Sequence, residues 1–312
     1  MGKSAEKKLL LFKIEGTEGV DAAPAAADAI ITVGLDASGL EGDEKERKID
    51  GQYFGARPTI HGQIRKPVSF GVELAGSGGL ATAVPAFMKI MRICGFDAGV
   101  AGASSVVQSP ISANVPSATL WPFYDNLKVV ALGARANWTL TIEDDEIPML
   151  NFTAMGFPPA GIVSEAGPGA PTFTWQAVPL VASTANTTFS LGGYSPALRR
   201  LTLNGGVSIE PRSLVGPTDK AMFRNRVITG EALIEFPDLG TKNYYTNLVN
   251  RTTQVMQLVH GTATGNIVQV DGARAEIGLI TTPEDQGQLM ASVPLRLLPT
   301  AAGNDELTFT SK

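Results

Sequence analysis

The segments Gly133–Ile142, "GARANWTLTI", and Gly272–Thr281, "GARAEIGLIT", decide how this chain is read. Each opens a run of alternating apolar and polar residues, the period of a strand with one buried face. Each then passes through an acidic turn into a second such run, "EIPMLNFTAMGFP" in the first case and "QLMASVPLRLLP" in the second. From Gly133 to Gly272 the offset is 139 residues, which sets Trp138 against Ile277 and Leu140 against Leu279. The buried side of the two strands is thereby expected to stay in phase. From Pro158 to Pro299 the offset is 141, and Leu150, Phe152 and Ala154 meet Ala291, Val293 and Leu295. The two added residues fall in the turn, where a hairpin tolerates them.

The order of elements around the two segments also matches. In the first half "IITVGLDA" (Ile30–Ala37) precedes a long polar stretch, then the strand-like "KPVSFGVELAG" (Lys66–Gly76). Phe87, Ile90, Met91 and Cys94 follow at helical spacing between Pro85 and Gly95, which predicts a short amphipathic helix. "SATLWPFYD" and the two runs around Gly133 close the half. In the second half "LRRLTLNGGVSIE" (Leu198–Glu210), a polar loop and "RVITGEALIEFP" (Arg226–Pro237) lead to "TKNYYTNLVNRTT". That stretch predicts a helix with Tyr245, Leu248 and Val249 on one face and Thr241 as N-cap. "VMQLVHG" and the runs around Gly272 complete it.

The expected fold is therefore mainly β, a β-rich α+β protein of two tandem units, residues 1–165 and 166–312. Each would be a small barrel or sandwich with one flanking helix and with edge strands open to a neighbour. The Pro/Gly-rich "AGPGAP" (Ala166–Pro171) marks the boundary. The competing reading is two unrelated β domains with similar strand statistics.

Composition agrees. The 312 residues suffice for two cores, 44% are apolar and only 18% charged, and 34 glycines with 20 prolines favour short strands and turns. A net charge of −5 argues against a basic groove for nucleic acid. One cysteine excludes an internal disulfide, and two histidines leave few ligands for zinc. The apolar run Leu9–Phe12 is too short for a secretion signal and is followed at once by Lys13 and Glu15, so a cytoplasmic product is expected. The sequons at Asn137, Asn151, Asn186 and Asn250 are then accidental.

Signals of catalysis are weak. "GSGG" (Gly76–Gly79) reads as a turn, His61 and His260 lack a third donor at ligand spacing, and Cys94 sits on the apolar face of its helix as a packed thiol. "EDDE" (Glu143–Glu146) has the charge of a calcium loop without its glycine or spacing, so it reads as a solvated hairpin tip. No enzyme, cofactor or metal is expected.

The polar stretch Ser38–Arg65 is too long for an ordinary connection and carries Tyr53, Phe54 and Ile60 among charges of both signs. It is read as an arm that orders against another subunit, with Glu44, Arg47, Tyr53, Phe54 and Arg57 as its contact residues. The "PRSLVGPTDKAMFRN" stretch, with Met222 and Phe223, is read as a second docking arm.

The runs "FKIEGTEGVDAAPAAADAIITVGLDASGLEGDEKERKI", "VSFGVELAGSGG" and "PAFMKIMRICGF" resemble the start of the tail tube (major tail) proteins of phages with long non-contractile tails. The resemblance covers about Leu9 to Phe96. It implies subunits that join their sheets into rings around a lumen, rings that stack through arms, and residence in the virion tail. The partners implied are further copies of the chain, the tape measure protein and DNA in the lumen, and terminator and distal tail proteins at the ends. If both halves are tube units, the ring is a homotrimer rather than six chains. The wall is expected to be uncharged to acidic, with Glu73, Glu143, Glu231 and Glu235 as candidates. A virion surface or adhesion protein of tandem β domains is the alternative.

Overall fold

The computed structural model describes every residue except 1, 38, 80–82, 160–162, 165–166, 174–175, 213 and 215–219. The expected unit boundary at 165–166 and the first residue of the arm, Ser38, lie outside the described residues. Among the described residues the protein is mainly β, with one large antiparallel sheet and two short α-helices, Ala86–Met91 and Tyr244–Val249.

The backbone of the sheet is a row of antiparallel strands. The inner part of Thr59–Glu73 pairs with Met149–Phe157, and that strand with Ala131–Glu143. Ala131–Glu143 then pairs with Leu198–Asn204 in the second half, followed by Thr229–Glu235, Gln288–Leu297 and Val268–Ile277. Alternation explains why these segments hold one register: Trp138, Leu140 and Ile142, Leu150 and Phe152, Leu201 and Leu203, Ala232 and Ile234 are all buried. A slip by one residue would turn each set into solvent.

A second layer crosses the same long strands. Lys8–Ile14 pairs along its whole length with Ala118–Tyr124, which reaches Ala131 and Ala134 of the long first-half strand. In the second half Thr187–Leu191 pairs with Gln254–His260, which pairs with Val268–Ile277. Val33–Asp36 lies outside Thr59–Glu73, as Leu198–Asn204 lies outside Thr229–Glu235. The same neighbours thus recur in the same chain order. Both long strands carry an irregularity inside their "GARA" motif, between Leu132 and Arg135 in one and opposite Met256 and Gln254 in the other. At the first, Gly133 takes a φ of 62°, a left-handed conformation that a side chain disfavours.

The first helix follows its sequence pattern. Phe87, Ile90, Met91 and Cys94 are buried, Pro85 is the N-cap, and a 3-10 turn at Arg92–Cys94 ends at Gly95 with φ 88°. A Cβ at Gly95 would stand 2.7 Å from the Phe223 ring, so glycine answers both the turn and the close approach. Burial pushes the Cys94 thiol well above its ordinary range, as a packed thiol requires.

The second helix departs from expectation. Its N-cap is Asn243, whose Oδ1 accepts from the Thr246 amide at 3.1 Å, not Thr241. Tyr244, one turn before Leu248, is the buried residue and donates from its hydroxyl to the Leu191 carbonyl at 3.1 Å. Leu248 packs against the core, while Tyr245 and Val249 are exposed.

Leu279 is a second correction. Gly278 and Thr281 donate to the Pro294 and Ser292 carbonyls, which leaves Leu279 and Ile280 together opposite one residue. This bulge shifts the phase. Ile280 packs on the core and Leu279 is 80% exposed, unlike the fully buried Leu140.

One hydrophobic cluster runs through both halves. Its tie is the C-terminal strand Thr308–Ser311, which pairs with Val106–Gln108 on one side and Val268–Ile277 on the other. Phe309 meets Phe87, Phe96 and Trp138 edge-on, with centroids 5.9, 5.6 and 5.7 Å away. Such aromatic pairs contribute about 0.5–1.5 kcal/mol each beyond their burial.

Candidate functional site

The main sheet has one face that turns away from the core. Residues that alternate with the buried ones make cross-strand rows on it. One row runs Glu73, Met149, Thr141, Thr202, Glu231 and Pro294 through successive pairings, and a neighbouring one runs Asn151, Thr139, Asn204, Thr229 and Arg296. Short hydroxyl and amide side chains dominate. The four glutamates singled out from sequence all fall on this face: Glu143 lies opposite Arg200, Glu231 accepts from the Ser292 hydroxyl at 2.7 Å, and Glu235 lies opposite Met290. Glu73 is half-buried, whereas Glu231 and Glu235 are exposed. Arg200 and Arg296 also lie on this face.

The hairpin tip beside it is tied down by ions. Arg199 reaches Asp144 at 3.7 Å and Asp285 at 3.0 Å, which joins the acidic turn of the first half to its counterpart in the second. The "EDDE" carboxylates are thus partly spent on ion pairs of the solvated tip.

The arm is a β-hairpin rather than an irregular loop. Glu41–Glu46 pairs with residues 59–65, the outer extension of the long Thr59–Glu73 strand, so the arm is an outgrowth of the sheet itself. All of Glu41–Glu46 is exposed, Tyr53 is 78% exposed and Phe54 is fully so. Glu44 faces His61 across the hairpin at 3.6 Å, Arg47 closes it by donating from its amide to the Pro58 carbonyl, and the Arg57 guanidinium lies over Gly51. Exposed pairs of this kind contribute little stability. Among the described residues no aromatic ring pairs with either of the two.

The second arm behaves differently from expectation. Ser208–Arg212 and Lys220–Asn225 also form a hairpin, but it folds back on the first half. Ala221 is buried, Phe223 packs on the core beside Gly95, and Met222 is half-buried. Glu18 holds it there, with Arg135 at 2.6 Å and Lys220 at 3.1 Å. Burial raises the Glu18 carboxyl, but the two cations outweigh it and keep the group below its usual range.

The chain thus presents an antiparallel sheet with one solvated polar face and a projecting hairpin. The chain matches the phage tail tube protein family over residues 6–297 and belongs to it. No individual curated protein matches the chain. Membership makes this a structural protein of the virion tail that polymerises with itself, not an enzyme. It also sets aside the surface or adhesion reading.

Sequence reasoning singled out the four glutamates, which share one sheet face, and the arm, which is an exposed hairpin, but missed the Glu18, Arg135 and Lys220 cluster. Its members are separated by more than 80 residues, and nothing local marks them.

Proposed function

We propose that three copies close into one ring of a long non-contractile tail, each supplying two tube units, 1–165 and 166–312, to a wall of six. The observation that carries this reading is the recurrence of strand neighbours. Lys8–Ile14, Val33–Asp36, the inner part of Thr59–Glu73, Ala118–Tyr124, Ala131–Glu143 and Met149–Phe157 have the same partners as Thr187–Leu191, Leu198–Asn204, Thr229–Glu235, Gln254–His260, Val268–Ile277 and Gln288–Leu297. A helix follows the third strand in both sets.

The polar sheet face lines the lumen in this proposal. Its hydroxyls and amides bind nothing tightly, and Glu73, Glu143, Glu231 and Glu235 outnumber Arg200 and Arg296. DNA must slide through such a conduit, and a lysine-rich wall would hold each phosphate by releasing its counterions. Tape measure protein and DNA occupy the lumen, terminator and distal tail proteins close the ends, and the Glu44–Arg57 part of the arm docks on the next ring.

Native mass measurement of rings released from the purified assembly tests the stoichiometry. The expected mass is about three times 32.7 kDa. A species of six chains would contradict the fused-unit reading.

A further inference from the structure

We infer that Lys66 is the joint of the arm, a positioning residue whose buried ammonium fixes the direction in which the hairpin leaves the sheet. That a fixed direction serves docking on the next ring rests on the reading above; the joint itself does not. The strand Thr59–Glu73 changes partner at this residue. From Lys66 inward it pairs with Met149–Phe157, Lys66 lying opposite Gly156, and from Arg65 outward it pairs with Glu41–Glu46. Lys66 is thus the first residue of the returning strand to rejoin the sheet.

Its side chain reaches across to the outgoing chain. Lys66 is 2% exposed, and its Nζ donates to the Ala37 carbonyl and, at 2.7 Å, to the Gly39 carbonyl. The two roots of the hairpin are therefore tied together at the point of departure. Two further side chains hold the outgoing root to the body: the Ala37 amide donates to the Tyr124 hydroxyl at 2.6 Å, and Lys8 Nζ donates to the Leu35 carbonyl at 3.0 Å. Burial draws the Lys66 ammonium below the usual lysine range, and the Asp36 carboxylate opposes this. A cation is costly to bury, so filling the space is not its purpose.

The second half shows what filling the space requires. Ala154 lies opposite Val68 and Gly156 opposite Lys66, as Leu295 lies opposite Gly230 and the Leu297 amide donates to the Ile228 carbonyl. Ile228 therefore stands where Lys66 stands, and it is 1% exposed. The hairpin above Ile228 needs no clamp at its root, because Phe223 packs on the core and Lys220 pairs with Glu18. The arm is placed otherwise: Glu41–Glu46 is exposed throughout, and Gln63 Nε2 reaches the Arg212 carbonyl at the long distance of 3.4 Å. A two-stranded hairpin without support is marginal and free to pivot. Fixing its direction beforehand removes an ordering cost from docking.

Spin labels on Lys45→Cys in the arm and Val255→Cys on the body measure that direction in unassembled protein, both positions being exposed and the native Cys94 buried. The labelled chain should give one narrow distance distribution. Adding Lys66→Met should widen it roughly twofold while the amides of the hairpin keep their protection from exchange. Should Lys66→Met fail to fold, Tyr124→Phe, which removes the acceptor of the Ala37 amide, takes its place with the same expectation. In unlabelled protein the same substitution should leave rings intact and lower the fraction stacked into tubes roughly tenfold. A distribution that stays narrow in the variant, or is already broad without it, would overturn the joint and leave the docking of the arm standing. Loss of protection along the whole hairpin would also overturn it, since Lys66 would then hold the strands together instead of aiming them. A widened distribution with wild-type tubes would keep the joint and remove the arm from stacking.

Discussion

Glu15 is 8% exposed, yet it is not an unpaired charge. It accepts from the Ser117 and Thr119 hydroxyls at 2.6 and 3.0 Å and from the Gly19 and Gly133 amides at 2.8 Å each. The carboxylate thereby fixes the left-handed bulge of the long strand to the N-terminal loop. Glu15→Ala strands buried donors, and hydrogen bonds to charged groups are worth about 1.5–3 kcal/mol each. A loss of about 3 kcal/mol is expected in denaturant unfolding, with most of it recovered in Glu15→Gln. His260 offers a pH test. Burial holds its imidazole below the ordinary histidine range, although a backbone hydrogen bond with Leu180 partly opposes this. The unfolded chain binds the proton more readily, so stability is complete above about 6.5 and falls as pH drops through that value. His260→Leu should flatten the change in unfolding free energy between about pH 7.5 and 5.5 relative to wild type, an unchanged slope being the contrary result. The Cys94 face was legible in the sequence because its partners lie within two helical turns. Glu15 was not, since three of its four donors come from positions more than 100 residues away.

At the scale of elements, strands that alternate over many residues were readable, and their register followed from it. The C-terminal strand Thr308–Ser311 was not, because four residues carry too little period and its partners are distant in the chain. The second helix shows how a short element escapes pattern: with six residues too few positions repeat to tell Tyr244, which is buried, from Tyr245, which is exposed. Asn243→Ala should therefore cost about 1 kcal/mol while Thr241→Ala leaves stability unchanged, as measured by thermal unfolding. The arm was legible as an excess of charge and aromatics, though not as an extension of the sheet. Since its residues are exposed, deleting Glu44–Gly55 should give soluble, folded protein whose melting temperature matches wild type. Such protein should form rings that no longer stack. Long tubes from the deletion variant would remove the arm from its proposed role.

The whole molecule is best described by how its sheet continues. Inside the chain, Ala131–Glu143 passes the sheet from the first half to the second through Leu198–Asn204. The sequence showed the two "GARA" strands that make this continuity possible, because period and offset are local quantities. It could not show Leu279 turning outward, which depends on a bulge opposite Val293. The central claim is that the same passage recurs between chains, so that six similar units and three chains surround one lumen. A cryo-EM reconstruction of the assembled tube tests it most directly. The account predicts threefold rings in which the halves alternate, with Glu73, Glu143, Glu231 and Glu235 facing the channel. Six chains per ring, or a second half lying outside the wall with no strand in the luminal sheet, would contradict it.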